Sequence, residues 1–524
     1  MIKSKWYPLI IICLVQIICV SDNSIMFNSL SALVISFHSH VAAIQQANII
    51  YPLIAGAFML SGGFLGLKIG WKNLLALGVL ILAFGETAAF LSTNIIFFTW
   101  VARVLAGIGA SLAIPALIGL IPERYEGKDV AIGFGAIGAA VGLASILGPM
   151  GGGWLIDSFG WRVAFTVLAI SAALIFLSAL AIEKKSTTLT VKFDFLGTVL
   201  FAPSMVLIII ALMKIGTWQW EKVVLLFIIG VILLILFLIY EFKLEKKEKF
   251  VLFPSIFLKS KSARAGLVMT SLIFFISGGL AFALTTYLQV VLGYDALITG
   301  VVLAVNAIGI IIFSIGTPLI IKNINPRLVC QLSVLLAALS GVVIAIGIDP
   351  TTLNFLFFLG TFIAGVAIGL LSSQAGIIVT STIGEEYAAL SGGIQGAMRN
   401  IGQAIGIALI GLIVIFALTA SVKNHFLKSP EIQAQIKHEI YLQKAVPFLS
   451  DKQVDNYLNK THLNQKAKNK IIQINNTGRL HSLHVTFFSF AVICLLFMFF
   501  TFSIPVSFAR ESLKKEGDTY EENN

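Results

Sequence analysis

Apolar residues in this chain come in long unbroken runs separated by short polar joints. They show neither the alternation of a half-buried strand nor the narrow stripe of a surface helix. A run of about 20 residues crosses roughly 30 Å of hydrocarbon at the rise of an α-helix. Fourteen such runs are present, over 6–35, 45–67, 74–92, 95–121, 130–156, 162–182, 195–214, 223–241, 265–291, 296–320, 328–347, 353–381, 389–420 and 483–507. The pattern predicts fourteen transmembrane helices. The first run starts behind two lysines, like a leader, but it is too long for one. No A-x-A cleavage pattern comes after it, so it reads as a mature helix. The long polar joint, 421–482, has amphipathic stretches around 430–445 and 451–470 that predict short helices outside the membrane.

Composition sharpens this into an all-α membrane protein: 58% of the 524 residues are hydrophobic and 12% charged, against about 25% charged in soluble domains. The net charge of +11 is explained by topology, with no need for a nucleic-acid partner. With the N-terminus inside, the inner joints and tails carry Lys68, Lys72, Arg124, Lys128, Lys184, Lys185, a cluster from Lys243 to Arg264, Lys322, Arg327, Lys514 and Lys515. The short outer joints carry only Arg162, Lys214 and Lys222. That asymmetry places both termini in the cytoplasm, with the chain in the cytoplasmic (inner) membrane. The 421–482 joint is also basic, but joints of that length cross regardless of charge. It offers a surface for a periplasmic or cell-wall partner, or a solvated lid. The four cysteines fall inside spans without metal-ligand spacing, and no nucleophile elbow, P-loop or H-E-x-x-H pattern occurs. The chain therefore reads as no enzyme, with no cofactor and no metal.

Charges inside the bilayer cost at least about 2.5 kcal/mol each, so those present usually face a partner, a cavity or a pathway. "VSDNSIMFNSL" puts Asp22 in the first span with Asn28 nearby, "FGETAAF" puts Glu86 in the third, and "ARVLAGIG" puts Arg103 in the fourth. Counting helical rise, Asp22 lies about 8 Å and the other two about 12 Å below the outer edge of the hydrocarbon, one shared depth. Two readings are open: a static ion pair that fixes packing, or a proton or cation site. In the thirteenth span "GGIQGAMRNIGQAIG" places Gln395, Arg399 and Gln403 at i, i+4 and i+8 on one helix face, beside Asn400. Arg399 reads either as a cavity group or as a side chain snorkelling to the cytoplasmic interface.

The fifth span ends in "ILGPMGGGWL". Gly135, Gly138, Ala139, Gly142, Ser145, Pro149 and Gly152 form a nearly side-chain-free stripe along it. Small residues at that spacing let two membrane helices approach closely. The proline removes a backbone donor, and Gly148, Gly152 and Gly153 allow local adjustment around it. This helix reads as built to pivot against a neighbour at close range, or as ordinary static glycine packing.

GPMGGG resembles the antiporter motif of the major facilitator superfamily. Arg103 with Gly107 resembles its fourth-helix arginine motif, and "DNSIMFN" the first-helix acidic motif of its fourteen-span drug:proton antiporters. "TTYLQVVLGYDALITG" and "RNIGQAIGIALIG" are similar to further patterns of that family. The resemblance implies a major facilitator fold of two six-helix bundles, residues 1–183 and 251–524, with two inserted helices at 184–250. It implies proton-coupled efflux of multidrug or amphipathic small molecules by alternating access, with Asp22, Arg103 and Glu86 coupling the proton. Candidate cavity lining is Asn28, Gln289, Asn306, Gln374, Gln395, Arg399, Asn400 and Gln403. The partners expected are an amphipathic, drug-like or cationic substrate, protons and the lipid bilayer. One departure stands out. The family's signature between helices two and three, a latch for one conformation, survives as Gly63, Lys68, Gly70 and Lys72, but Leu67 stands at the acid and Trp71 at the arginine. An uncoupled or import-type facilitator, or a receptor or scaffold that transports nothing, are the alternative readings.

Overall fold

In a membrane every backbone polar group has to be satisfied within the chain, and an unbroken apolar run does this as a helix. The computed structural model describes residues 6–506, except 127, 184–193, 216–217, 248, 321–324, 381–387, 431, 433–439, 441, 444, 460–462 and 464. Among the described residues, fourteen helices are long and apolar enough to span a bilayer. They are α1 (Tyr7–Asn28), α2 (Val41–Ile69), α3 (Trp71–Leu91), α4 (Ile95–Arg124), α5 (Lys128–Phe159), α6 (Trp161–Leu180) and α7 (Phe195–Lys214). After them come α8 (Trp220–Glu245), α9 (Lys261–Val291), α10 (Ala296–Ile320), α11 (Pro326–Gly347), α12 (Phe355–Thr380), α13 (Ala388–Lys428) and α14 (Gln465–Leu496).

Their packing has an internal echo. In the first bundle α1 packs on α5, α2 on α4, α3 on α4 and α3 on α6. In the second, α9 packs on α13, α10 on α12, α11 on α12 and α11 on α14, the same pairs eight helices later. The bundles meet through α2 against α13 and α5 against α10, again an equivalent pair. Helices α7 and α8 pack on each other, and α7 leans on α2 and α13. The result is two six-helix bundles with two inserted helices, the architecture that the resemblance implies.

Three features depart from the apolar pattern. The 421–482 joint shrinks to 429–464, because α13 continues to Lys428 and α14 begins at Gln465. Helices that leave the bilayer turn polar and read as loop, although here they pack on each other. Gly478 lies against Val422 and Leu418, and the Arg479 side chain is buried, donating to the carbonyls of Val290 and Leu449 and pairing with Asp451. Part of the joint folds back as well, with Phe448 buried and the Val446 N–H bonded to Thr419 Oγ1. Of the two short helices expected there, one is seen at Asp451–Leu458. The 430–445 stretch lies mostly outside the described residues.

The first run is also not one helix. It stops at Asn28 and resumes as Leu30–Ser36. Gln289 of α9 reaches into the gap: its Oε1 accepts from the Ser31 N–H at 3.0 Å and its Nε2 donates to the Asn28 carbonyl at 2.8 Å. A side chain inserted into the ladder satisfies the groups that the break frees. Third, α4 contains a π-turn, Phe98–Ala102, directly before Arg103. Such a turn adds a residue within a helix and re-aims the side chains beyond it.

The turn from α2 to α3 explains how the altered signature still folds. Gly70 takes φ +86°, where a side chain is strained. The Trp71 ring then lies between α2 and α4, so close to Gly66 and Gly119 that a Cβ on either would collide with it. Lys72 donates to the Leu180 carbonyl at 2.9 Å and Lys68 is exposed. Aromatic packing on two glycines thus stands where the resemblance leads one to expect a charged pair. Trp71→Ala is expected to cost about 3 kcal/mol through the void it leaves. A thermal unfolding scan in detergent should show a lower midpoint for that variant, and an unchanged midpoint would contradict this reading.

Candidate functional site

Asp22 of α1, Glu86 of α3 and Arg103 of α4 come together in the first bundle, all essentially excluded from solvent. Arg103 Nη1 and Nη2 donate to Asp22 Oδ1 and Oδ2 at 2.8 and 2.9 Å, a two-pronged pair of the kind that fixes geometry as well as charge. Glu86 Oε1 stands 3.8 Å from the same guanidinium, and neither of its oxygens has a hydrogen-bond partner among the described residues. One guanidinium therefore faces two carboxylates in a buried space. The set is neutral with one proton bound and carries one negative charge without it. The Tyr51 ring of α2 lies 4.7 Å from the guanidinium carbon and covers its other side.

A cavity of about 240 Å³ lies between the bundles, lined from α1, α2, α4, α5, α9, α10, α12 and α13. Tyr51 lines it, and so separates it from the triad; Asp22, Glu86 and Arg103 do not line it. Arg103 takes both oxygens of Asp22, and Tyr51 of α2 stands between this pair and the cavity. Of the expected lining, Asn28, Asn306, Arg399, Asn400 and Gln403 are present. Gln403 Nε2 donates to Asn23 Oδ1 at 3.1 Å, joining α13 to α1 across the cavity, and Asn306 Nδ2 donates to the Thr361 carbonyl. Three expected lining residues sit elsewhere. Gln289 is spent on the break in α1, Gln374 bonds to Ser373 Oγ, and Gln395 bonds to Ser391 Oγ one turn earlier. Arg399 lies 4.5 Å from the Phe274 ring centroid, inside the cavity wall.

The glycine motif closes the end of the cavity where α1 finishes, the distal end. Gly148 and Gly152 lie against Ser24 and Ile25 of α1. Pro149 and Gly153 lie against α10: a Cβ on Gly153 would sit 2.5 Å from the Ala296 carbonyl oxygen and 2.7 Å from Leu297 Cα. Gly300 meets the Pro149 carbonyl just as closely, and Asn28 Nδ2 donates to that carbonyl at 2.7 Å. Four residues on from Gly153, Asp157 completes the seal. Its two oxygens accept from the Ala296 and Leu297 N–H groups, at 3.1 and 2.6 Å, and cap the start of α10. Toward the proximal end the two helices part: Gly142 is only in ordinary contact with Ile311, and Gly138 faces open space. Gly135 lies outside the described side chains.

Tyr51, Asn23 and Asp157 were not singled out from the sequence. A tyrosine beside Pro52 in an otherwise apolar run, an amide adjoining the membrane aspartate, and an acid one turn beyond the glycine motif were the available signals.

A paired charge cluster behind a central cavity, with a glycine seal between two related bundles, defines a membrane transporter, and comparison with known proteins gives the group. The family model "Major Facilitator Superfamily" matches residues 12–192 and 193–407. The chain belongs to the major facilitator superfamily. It is 24% identical over 429 residues to the probable actinorhodin transporter of Streptomyces coelicolor, covering 80% of this chain and 73% of the relative. It is 26% identical over 429 residues to the tetracenomycin C resistance and export protein of Streptomyces glaucescens, covering 79% and 77%. Among solved structures it resembles in fold a bacterial homologue of the human lysosomal transporter Spinster, in an inward-facing, unoccupied conformation. The TM-score is 0.64 at 14% identity, over 96% of this chain and 98% of that one.

Proposed function

We propose that the protein exports amphipathic small molecules across the cytoplasmic membrane in exchange for protons, by alternating access, with both termini in the cytoplasm and bundles at 1–183 and 251–524. The observation that carries this reading is the triad: one guanidinium shared unequally by two buried carboxylates. A proton reaching Asp22 cancels its charge and frees Arg103 to pair with Glu86; loss of the proton returns Arg103 to Asp22. The swap exchanges an α1–α4 tie for an α3–α4 tie. Helix α1 also carries Asn23, Ser24 and Phe27 of the cavity and Asn28 of the distal seal, so loosening it acts on substrate and gate together. A shift between two packings is the kind of device that a single proton can bias. The distal seal and the parting of α5 from α10 support a cavity that opens toward the cytoplasm in this structure.

Each proton carried inward across about 100 mV supplies roughly 2.3 kcal/mol, before any pH difference is added. Reconstituted protein under an imposed pH gradient, acid on the distal side, is expected to concentrate fluorescent amphipathic dyes uphill, and a protonophore is expected to abolish this. Dye movement indifferent to the protonophore would favour an uncoupled facilitator, and no movement across a broad panel would favour a receptor or scaffold.

A further inference from the structure

The cavity is positively charged. Arg399 is the one ionised side chain among the described residues of its lining, and no carboxylate among the described residues lies within ion-pair distance of it. The two interior acids of the first bundle belong to Arg103. The rest of the polar lining consists of amides and hydroxyls such as Asn23, Ser277 and Gln403. We propose that the cavity is built for an amphipathic organic acid in its anionic form, with the acid group held by Arg399. The inference rests on the efflux reading above and names the charge class of its substrate.

A guanidinium set in the wall of a membrane cavity without a counter-ion is unfavourable, and an anion arriving beside it removes that penalty. Phe274 covers one face of the guanidinium and leaves the in-plane N–H groups for a carboxylate or sulfonate, which they match in a two-pronged geometry. Phe27 and Phe274 line the cavity and offer apolar aromatic surface to a flat body. A cation would have to settle beside an uncompensated positive charge, with no carboxylate in the described lining to receive it. The charge balance also differs. One anion leaving for one proton entering moves two charges across the membrane, whereas one-for-one exchange of a monovalent cation moves none. Membrane potential therefore drives the first and leaves the second unaffected.

The test uses the full chain in proteoliposomes with two flat aromatic probes, carboxyfluorescein and ethidium. The wild-type protein is expected to transport carboxyfluorescein in preference to ethidium, and faster when a potassium-diffusion potential is imposed without a pH difference. Arg399→Gln is expected to weaken carboxyfluorescein binding about ten- to a hundredfold, the loss of one charge-assisted pair. Arg399→Lys should recover part of the affinity, which separates loss of charge from loss of fold. Preference for ethidium in the wild type, or equal weakening of both probes in Arg399→Gln, overturns the anion assignment and leaves the efflux reading intact. Movement of neither probe under any gradient overturns both.

Discussion

Glu86→Gln is expected to abolish uphill transport while sparing both the fold and downhill exchange. The Asp22–Arg103 pair, with its bonds of 2.8 and 2.9 Å, survives in this variant, so the bundle keeps its anchor. The loss is that of the second carboxylate, the group to which Arg103 turns when Asp22 takes a proton. An unpaired buried guanidinium costs about 3–5 kcal/mol, so proton loading, and with it uphill transport, should fall by at least about a hundredfold. Asp22→Asn fails differently. Arg103 keeps a partner in Glu86, 3.8 Å away, but the α1–α4 tie is permanently gone, and α1 carries part of the cavity wall and of the distal seal. That variant is expected to lose uphill transport and also to expose the distal end. Paired measurements of pH-driven uptake and of dye exchange without a gradient distinguish the two. Equal behaviour of the two variants would contradict the asymmetry on which the mechanism rests.

The second large effect concerns the distal seal. Gly300→Ala places a Cβ against the Pro149 carbonyl, and Gly153→Ala places one 2.5 Å from the Ala296 carbonyl oxygen. Both obstacles are backbone and cannot rotate away, so α5 and α10 must separate for either variant to fold. The closed distal end becomes inaccessible, the protein rests with that end open, and turnover falls by an order of magnitude or more. Asp157→Asn acts in the same direction more weakly, since it loses one ionised cap worth about 1 kcal/mol. Labelling of a cysteine introduced at Ser31, beside the seal, by a membrane-impermeant thiol reagent should rise strongly in both glycine variants and modestly in Asp157→Asn. Labelling no faster than in the parent would contradict the assignment of this seam as a gate.

Much of this architecture could be read from hydropathy because the bilayer allows little choice: an apolar run of about 20 residues has to be a helix. The fourteen spans are a consequence of that constraint alone. Their ends are not, since a helix that continues into water becomes polar, and so α13 to Lys428 and α14 from Gln465 looked like loop. The break after Asn28 was hidden for another reason. It depends on Gln289, more than two hundred residues away, whose identity suggested a cavity group and whose geometry makes it a cap. Asp22, Glu86 and Arg103 stood out because charge in a membrane is rare, and a common depth brought them to one place. No sequence signal told that Arg103 would fork onto Asp22 and only approach Glu86, or that Tyr51 would screen them from the cavity. A π-turn stands directly ahead of Arg103, a shift of one hydrogen-bond register that leaves composition unchanged. Arg399 had two readings from sequence, a cavity group or an interfacial side chain, and it stands against Phe274 among the residues lining the cavity.

The most direct test of the central claim, that Arg103 changes carboxylate partner when a proton is bound, is an infrared difference spectrum of the purified protein taken between alkaline and acidic pH. The account predicts a carbonyl band of a protonated carboxylic acid in apolar surroundings on acidification, absent from Asp22→Asn and absent also from Glu86→Gln, where Arg103 has no second partner to release Asp22. The same band at full intensity in both variants would contradict it.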